Sequence, residues 1–115
     1  MNNNNGRQRP RVFMLQPHKV DISPAFEYGQ VRFIFKKGEN RPSIWSDDFV
    51  EEVLNRLEDE EFNPQVDFLL AAGNFVPVVR AFAAIAKRYT PTPKVLFYDA
   101  VQARYLPLRL VSCSI

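Results

Sequence analysis

The sequence predicts a single α/β domain: a mixed, mostly parallel sheet, elements in the order β-β-α-β-α-β-β, and a C-terminal antiparallel hairpin. Three observations carry this. The stretch Val66 to Tyr89, VDFLLAAGNFVPVVRAFAAIAKRY, reads as a buried strand, a tight turn and a helix. Its strand, Val66 to Ala72, is apolar at every position but Asp67, and burial on both faces is the habit of parallel strands. Two strand–helix–strand units follow one another, which implies three parallel strands joined by right-handed crossovers. A final pair of strands, Lys94 to Tyr98 and Arg104 to Leu110, is separated by too few residues for a helix and returns as a hairpin.

Met1 to Arg11 is a polar tail with four consecutive Asn and with Arg7, Arg9 and Arg11. It has nothing to bury and is expected to be flexible, with 12–115 forming the domain. Its arginines read either as a solubilising tail or as a basic arm for nucleic acid or an acidic partner. It lacks an apolar stretch of the kind a signal peptide needs, so none is expected. Val12 to Leu15 is a first short strand, ended by Gln16-Pro17. His18 to Ile22 is a loop, and no second His or Cys stands at metal-ligand spacing from His18.

Ser23-Pro24 has the form of an N-cap followed by proline at the first helical position, and Gly29 stops the single turn that results. Val31 to Phe35 is the second strand, with Lys36-Lys37-Gly38 as its turn-rich exit. Asp47 to about Glu60 is the first long helix, capped by Ser46 or Asp48 and buried along Phe49, Val50, Val53, Leu54 and Leu57. The carboxylates of Glu58 to Glu61 oppose the dipole at its C-terminal end, so that end is expected to fray. In the second helix Asn74 is the N-cap and Pro77 falls in the first turn. Phe75, Val78, Val79, Phe82, Ile85, Ala86 and Tyr89 form its apolar stripe, with Phe75 and Phe82 both expected on the sheet. Leu106, Leu108 and Leu110 face one side of the last strand, and Pro107 marks it as an edge.

The 115 residues suit one domain, and 46% hydrophobic with 24% charged residues suits a soluble one. The net charge of +2 hides an uneven distribution. Residues 1–41 carry eight Lys/Arg and three Asp/Glu, residues 42–67 one and nine, and residues 68–115 six and one. The acidic block is mostly the face of one helix. Cys113 is the sole cysteine, which rules out an intrachain disulfide and fits a reducing compartment. The longest apolar run is interrupted by Gly73, Asn74 and Pro77 and falls short of the ~20 residues a membrane span needs.

If the three parallel strands lie in chain order, both long helices fall on one face and the turn at Phe26/Tyr28 alone covers the other. Ten Phe, four Tyr and one Trp make a bare face costly. Either the first strand reorders the sheet or another chain covers it, and a homo-oligomer is expected.

Ligands of open parallel sheets sit at the carboxyl ends of the strands. Here those ends offer Gln16, Lys36 and Lys37, Gly73 and Asn74, and Asp99. Gly73, Asn74 and Asp99 sketch an anion or nucleotide pocket: free amides at a helix start and a carboxylate for a ribose or metal. Each part also has a plainer use, Asn74 as a cap and Asp99 as a turn residue. No phosphate-loop pattern, paired carboxylates or Ser-His-Asp set accompanies them, so no catalytic residue, metal or cofactor is assigned and the balance leans away from an enzyme.

The segments SPAFEYGQVRFIF, DFLLAAGN, and KVLFYD followed by RYLPLRL resemble small uncharacterised proteins encoded by bacteriophages. In these a tyrosine-glycine leads into an aromatic strand, and a late strand ending in aspartate precedes a tyrosine-containing return strand. Tyr98 stands where that pattern has tryptophan. The resemblance spans most of residues 12–110 and carries no activity to any residue. It implies a phage setting, hence a bacterial cytoplasm or a virion. The leading functional expectation is a non-enzymatic accessory protein that binds nucleic acid, or the protein of a nucleic-acid machine, through Arg7, Arg9, Arg11, Lys36, Lys37, Arg104 and Arg109. The alternatives are a protein-interaction module, as a homo-oligomer or a modulator of a host protein, and a small nucleotide-binding enzyme.

Overall fold

The computed structural model of the chain describes residues 9–110. Arg7 and Cys113 lie outside the described residues. Five strands form one sheet: β1 (Arg11–Met14), β2 (Gln30–Phe33), β3 (Phe68–Leu70), β4 (Lys94–Asp99) and β5 (Arg104–Arg109). A 3-10 turn, η1 (Ser23–Tyr28), joins β1 to β2, and the helices α1 (Asp47–Asp59) and α2 (Phe75–Arg88) lead into β3 and β4. The strand order is β2-β1-β3-β4-β5. The first four are parallel, and β5 is antiparallel to β4. The α/β class and the terminal hairpin are as expected, but four strands are parallel rather than three, because β1 runs with its neighbours on both sides.

The position of β1 settles the question of covering. The chain moves one way across the sheet from β1 to β2, then reverses and passes β1 to reach β3 and β4. Crossovers of one hand put connections that travel in opposite directions on opposite faces. On one face Phe13, Leu69 and Val95 pack with Phe49, Val53 and Leu57 of α1 and Ala81, Phe82 and Ile85 of α2. On the other, Val12, Met14, Leu70 and Leu96 pack with Ala25 of η1, Ile22, Tyr28 and Tyr105. Tyr28 sits edge-on to Phe68 with ring centroids 5.3 Å apart, and its hydroxyl donates to the Tyr105 carbonyl at 2.6 Å. One short turn thus closes a face that would otherwise need a helix.

Capping explains where the elements begin. Ser46 Oγ accepts from Phe49 N–H and starts α1. The acidic end of α1 is offset by three other elements: Arg88 pairs with Glu58, while Arg32 and Arg11 reach Glu60. In η1 the cap position is Ile22, not Ser23, and Ser23 instead donates its N–H to Asp21 Oδ1. That bond holds the Asp21 carboxyl below its usual pKa. Gly29 ends η1 with a φ of 150°, and a Cβ there would lie 2.3 Å from the Pro10 carbonyl oxygen. Only glycine lets β2 start so close to β1.

Asp67 is the one buried charged residue among those described. Its carboxylate accepts from the backbone N–H of Arg11 (3.0 Å) and of Asn63 (2.8 Å), and from the Arg11 guanidinium (3.1 Å). Arg11 is therefore the first residue of β1 and is held by Asp67 and Glu60, not part of a free arm.

Two outcomes follow. Asp67→Ala strands two buried amide donors and a half-buried guanidinium, so it should cost about 3 kcal/mol, read as a lower urea midpoint at unchanged slope. Gly29→Ala should cost about 2–3 kcal/mol, since the obstacle is backbone that cannot rotate away. Either variant with a midpoint within error of the parent would contradict this account.

Candidate functional site

The carboxyl ends of β1 and β2 frame a polar groove of about 400 Å³, lined by Gln16, Pro17 and residues 36–41. Its loop is tied down from within. Glu39 accepts from the Lys36 N–H (2.8 Å) and from the Arg56 guanidinium. Arg56 also binds Glu52 and lies over the Phe35 ring at 4.6 Å. Arg41 donates to Gln16 Oε1 at 3.1 Å and lies over Phe49. Lys36 and Lys37 remain exposed at the tip.

The residues sketched as a nucleotide pocket each have a local role in the backbone. Gly73 has a φ of 98°, as a strand exit requires, and the His18 ring lies against it. Asn74 Oδ1 accepts from Val76 N–H at 3.1 Å and caps α2. Asp99 Oδ1 accepts from Val101 N–H at 2.9 Å and shapes the hairpin turn. Among the described residues no group of His, Cys, Asp and Glu is placed to hold a metal ion.

The basic residues expected at a nucleic-acid surface are scattered. Arg9 is exposed before β1, and Arg11 is held by Asp67. Arg104 pairs with Glu27 at 3.4 Å, and Arg109 donates to the Thr92 carbonyl. Lys36 and Lys37 follow β2 at one border of the sheet, and Arg104 begins β5 at the other, four strand spacings or ~19 Å away. Arg9 and Arg109 stand at the opposite ends of the strands. The fold does not gather the six described positions into one patch.

What it does gather is apolar. Arg80 of α2 donates to the carbonyls of Ile44 and Ser46, which ties the helix to the segment that starts α1. Phe82 and Ile85 then meet the sheet, and the far flank of the helix is left open. Phe75 is 76% exposed and Val79 45%, beside Phe97 (41%) of β4 and Leu108 (61%) of β5. Between the open flank of α2 and Phe97 and Leu110 runs a groove of about 390 Å³. Phe75 therefore does not lie on the sheet with Phe82. The apolar arc of α2 is wider than the sheet can use, a surplus visible in the sequence as seven apolar positions where one buried stripe needs fewer. The second cause is topological: β4 returns to β5 by a turn, so no crossover helix covers β5.

The loop beside the polar groove gives a pH signature. Hydrogen bonding to Arg56, then to the Lys36 N–H, lowers the Glu39 pKa from 4.5 to about 2. A carboxyl with a depressed folded pKa stabilises the fold above its unfolded pKa and loses that contribution as pH falls through the folded one. The stability difference between the parent and Glu39→Gln should thus be constant above pH 5 and shrink between about pH 4.5 and pH 2. Urea titrations across that range measure it, and a difference that grows toward acid would be the wrong sign.

No helix among the described residues is long and apolar enough to cross a membrane. No curated protein and no solved structure gives a match. Residues 7–111, which include every element of the sheet and both helices, match one protein family of phages, in keeping with the likeness seen in the strand-end segments. The chain belongs to the Phage Pam3 gp32-like protein family.

Proposed function

We propose that this phage protein is a non-enzymatic accessory protein that works as a protein-interaction module, with the open face of α2, β4 and β5 as its working surface. The observation that carries this is the exposure of Phe75, Val79 and Phe97 around one apolar groove, with Leu108 exposed on the same face of the sheet. Scattered apolar side chains need no explanation, whereas a contiguous face beside a groove marks a place of contact. The enzyme reading loses support because Asn74 and Asp99 are engaged by neighbouring amides. The nucleic-acid reading loses support because Arg11, Arg104 and Arg109 have partners within the fold. Phosphate binding draws its strength from several cations acting on one backbone track, and these do not form one.

Two measurements test the reading. A photoreactive phenylalanine analogue placed at Phe97 should yield covalent protein adducts on irradiation in infected cells, and the same group at exposed Asn55 of α1 should not. Titration of labelled single- and double-stranded DNA and RNA at low salt should show no salt-dependent binding. Binding whose log affinity falls with log salt, by about 0.7–0.9 per phosphate contact, would restore the nucleic-acid reading. Absence of any adduct specific to position 97 would remove the interaction face.

A further inference from the structure

We infer that the open face is completed by a second copy of this chain, the two α2 helices packing antiparallel across a two-fold axis beside Val79 and Ala83. This rests on the interaction reading above and names the occupant.

Shape is the first argument. Along α2 the open stripe is Phe75, Val79, Ala83 and Ala86, large at its N-terminal end and small at its C-terminal end. A stripe graded in this way is complementary to its own reverse. With the axis midway along it, Phe75 falls opposite Ala86 of the copy and Val79 opposite Ala83, so each bulky side chain meets a small one. A two-fold contact demands this self-complementarity, and the antiparallel pair also sets the helix dipoles favourably.

Charge is the second. No residue of the stripe is charged, and the one carboxylate in residues 68–110, Asp99, is engaged by Val101 N–H. A basic partner would find nothing to pair with. Lys87 flanks one end of the stripe, and the two-fold sends the two lysines to opposite ends, ~18 Å apart along the helix pair. That exceeds the Debye length of ~10 Å at 0.1 M salt, so the copies do not repel through them.

Area is the third. Phe75, Val79, Phe97 and Leu108 leave on the order of 400 Å² of apolar surface open, taking aromatic side chains at ~200 Å² when whole. A standard interface buries ~800 Å² per partner and is ~57% apolar, so it needs about this much from each side.

The free border of β5 excludes the other way two copies of a sheet commonly join. Leu110 N–H donates to the Pro93 carbonyl, so by antiparallel alternation Tyr105, Pro107 and Arg109 point their backbone groups outward. Pro107 has no N–H to offer, and the Tyr105 carbonyl already accepts from Tyr28. On the side of the open face the copies therefore meet through side chains, not by extending the sheet at β5.

Sedimentation velocity of the full 115-residue chain tests this. At tens of micromolar the expected species has twice the chain mass of 13.3 kDa. Phe75→Glu should weaken association on the order of 10³-fold, since each dimer carries the change twice at a buried aromatic anchor. Its melting curve should keep the parent's cooperativity, because Phe75 is exposed in the single chain. Ala83→Trp should also dissociate the pair by filling the space opposite Val79, whereas Phe26→Glu on the other face should leave it intact. A monomer at every concentration, or a dimer indifferent to both α2 variants, overturns the proposal. A monomer that still gives protein adducts from position 97 would keep the interaction face and assign it to a foreign protein. A monomer that gives none, and binds an apolar dye only after residues 111–115 are removed, would assign it to the chain's own end.

Discussion

Asp67 ties together two lengths of chain that lie 56 residues apart in the sequence. Its carboxylate takes the first amide of β1, the guanidinium of Arg11 and the amide of Asn63 in the turn before β3. β1 and β3 are the two strands between which the chain reverses direction across the sheet, and the bond sits where both begin. A carboxylate in this position is costly to bury and is tolerated because every approach to it is a donor. Without it β1 would enter the sheet with an unpaired amide beside its neighbour, at the strand whose place divides the molecule into two faces.

The place of β1 then fixes what each face requires. The α1 and α2 crossovers travel together and share one side. The short β1–β2 connection travels the other way and leaves its side to η1. Six residues suffice there because Tyr28 spans the gap, meeting Phe68 edge-on and bonding across to the β5 backbone. Gly29 permits this, since its missing Cβ lets the Pro10 carbonyl pass close by. The economy on this face thus depends on two residues, a tyrosine that reaches and a glycine that yields.

Local signals in the sequence translated well into structure where the deciding contacts were local. The strand–turn–helix at Gly73-Asn74, the Ser46 cap and the buried stripe of α1 all follow from neighbours a few residues apart. Strand order did not follow, because a strand of four residues carries no mark of which neighbours it will take. Asp67 stood out as the lone polar residue in an apolar run, yet nothing local paired it with Arg11, 56 residues earlier. The same distance misled the reading of the tail: Arg11 looked like a third free arginine until β1 brought it to Asp67. For the candidate site, Asn74 and Asp99 could be read both as caps and as ligand groups, and both make short Asx contacts within two residues. The exposed flank of α2 was hidden because periodicity reports how wide an apolar arc is, not how much of it the sheet covers.

That width and the final hairpin have to be considered together. A parallel strand arrives with a helix, and the helix covers the sheet beside it. β5 arrives through a turn and brings no cover, so Leu108 and Phe97 are left beside α2. Had the open flank of α2 been polar, these would be two stray apolar residues at a sheet border. Had α2 leaned over β5, its wide arc would be an ordinary core. Arg80 instead donates to the Ile44 and Ser46 carbonyls just before α1, on the side of the helix away from the hairpin. An apolar groove is thus left open beside the hairpin, while Pro107 and the Tyr105 carbonyl, already taken by Tyr28, leave the outer border of β5 few groups with which to extend the sheet.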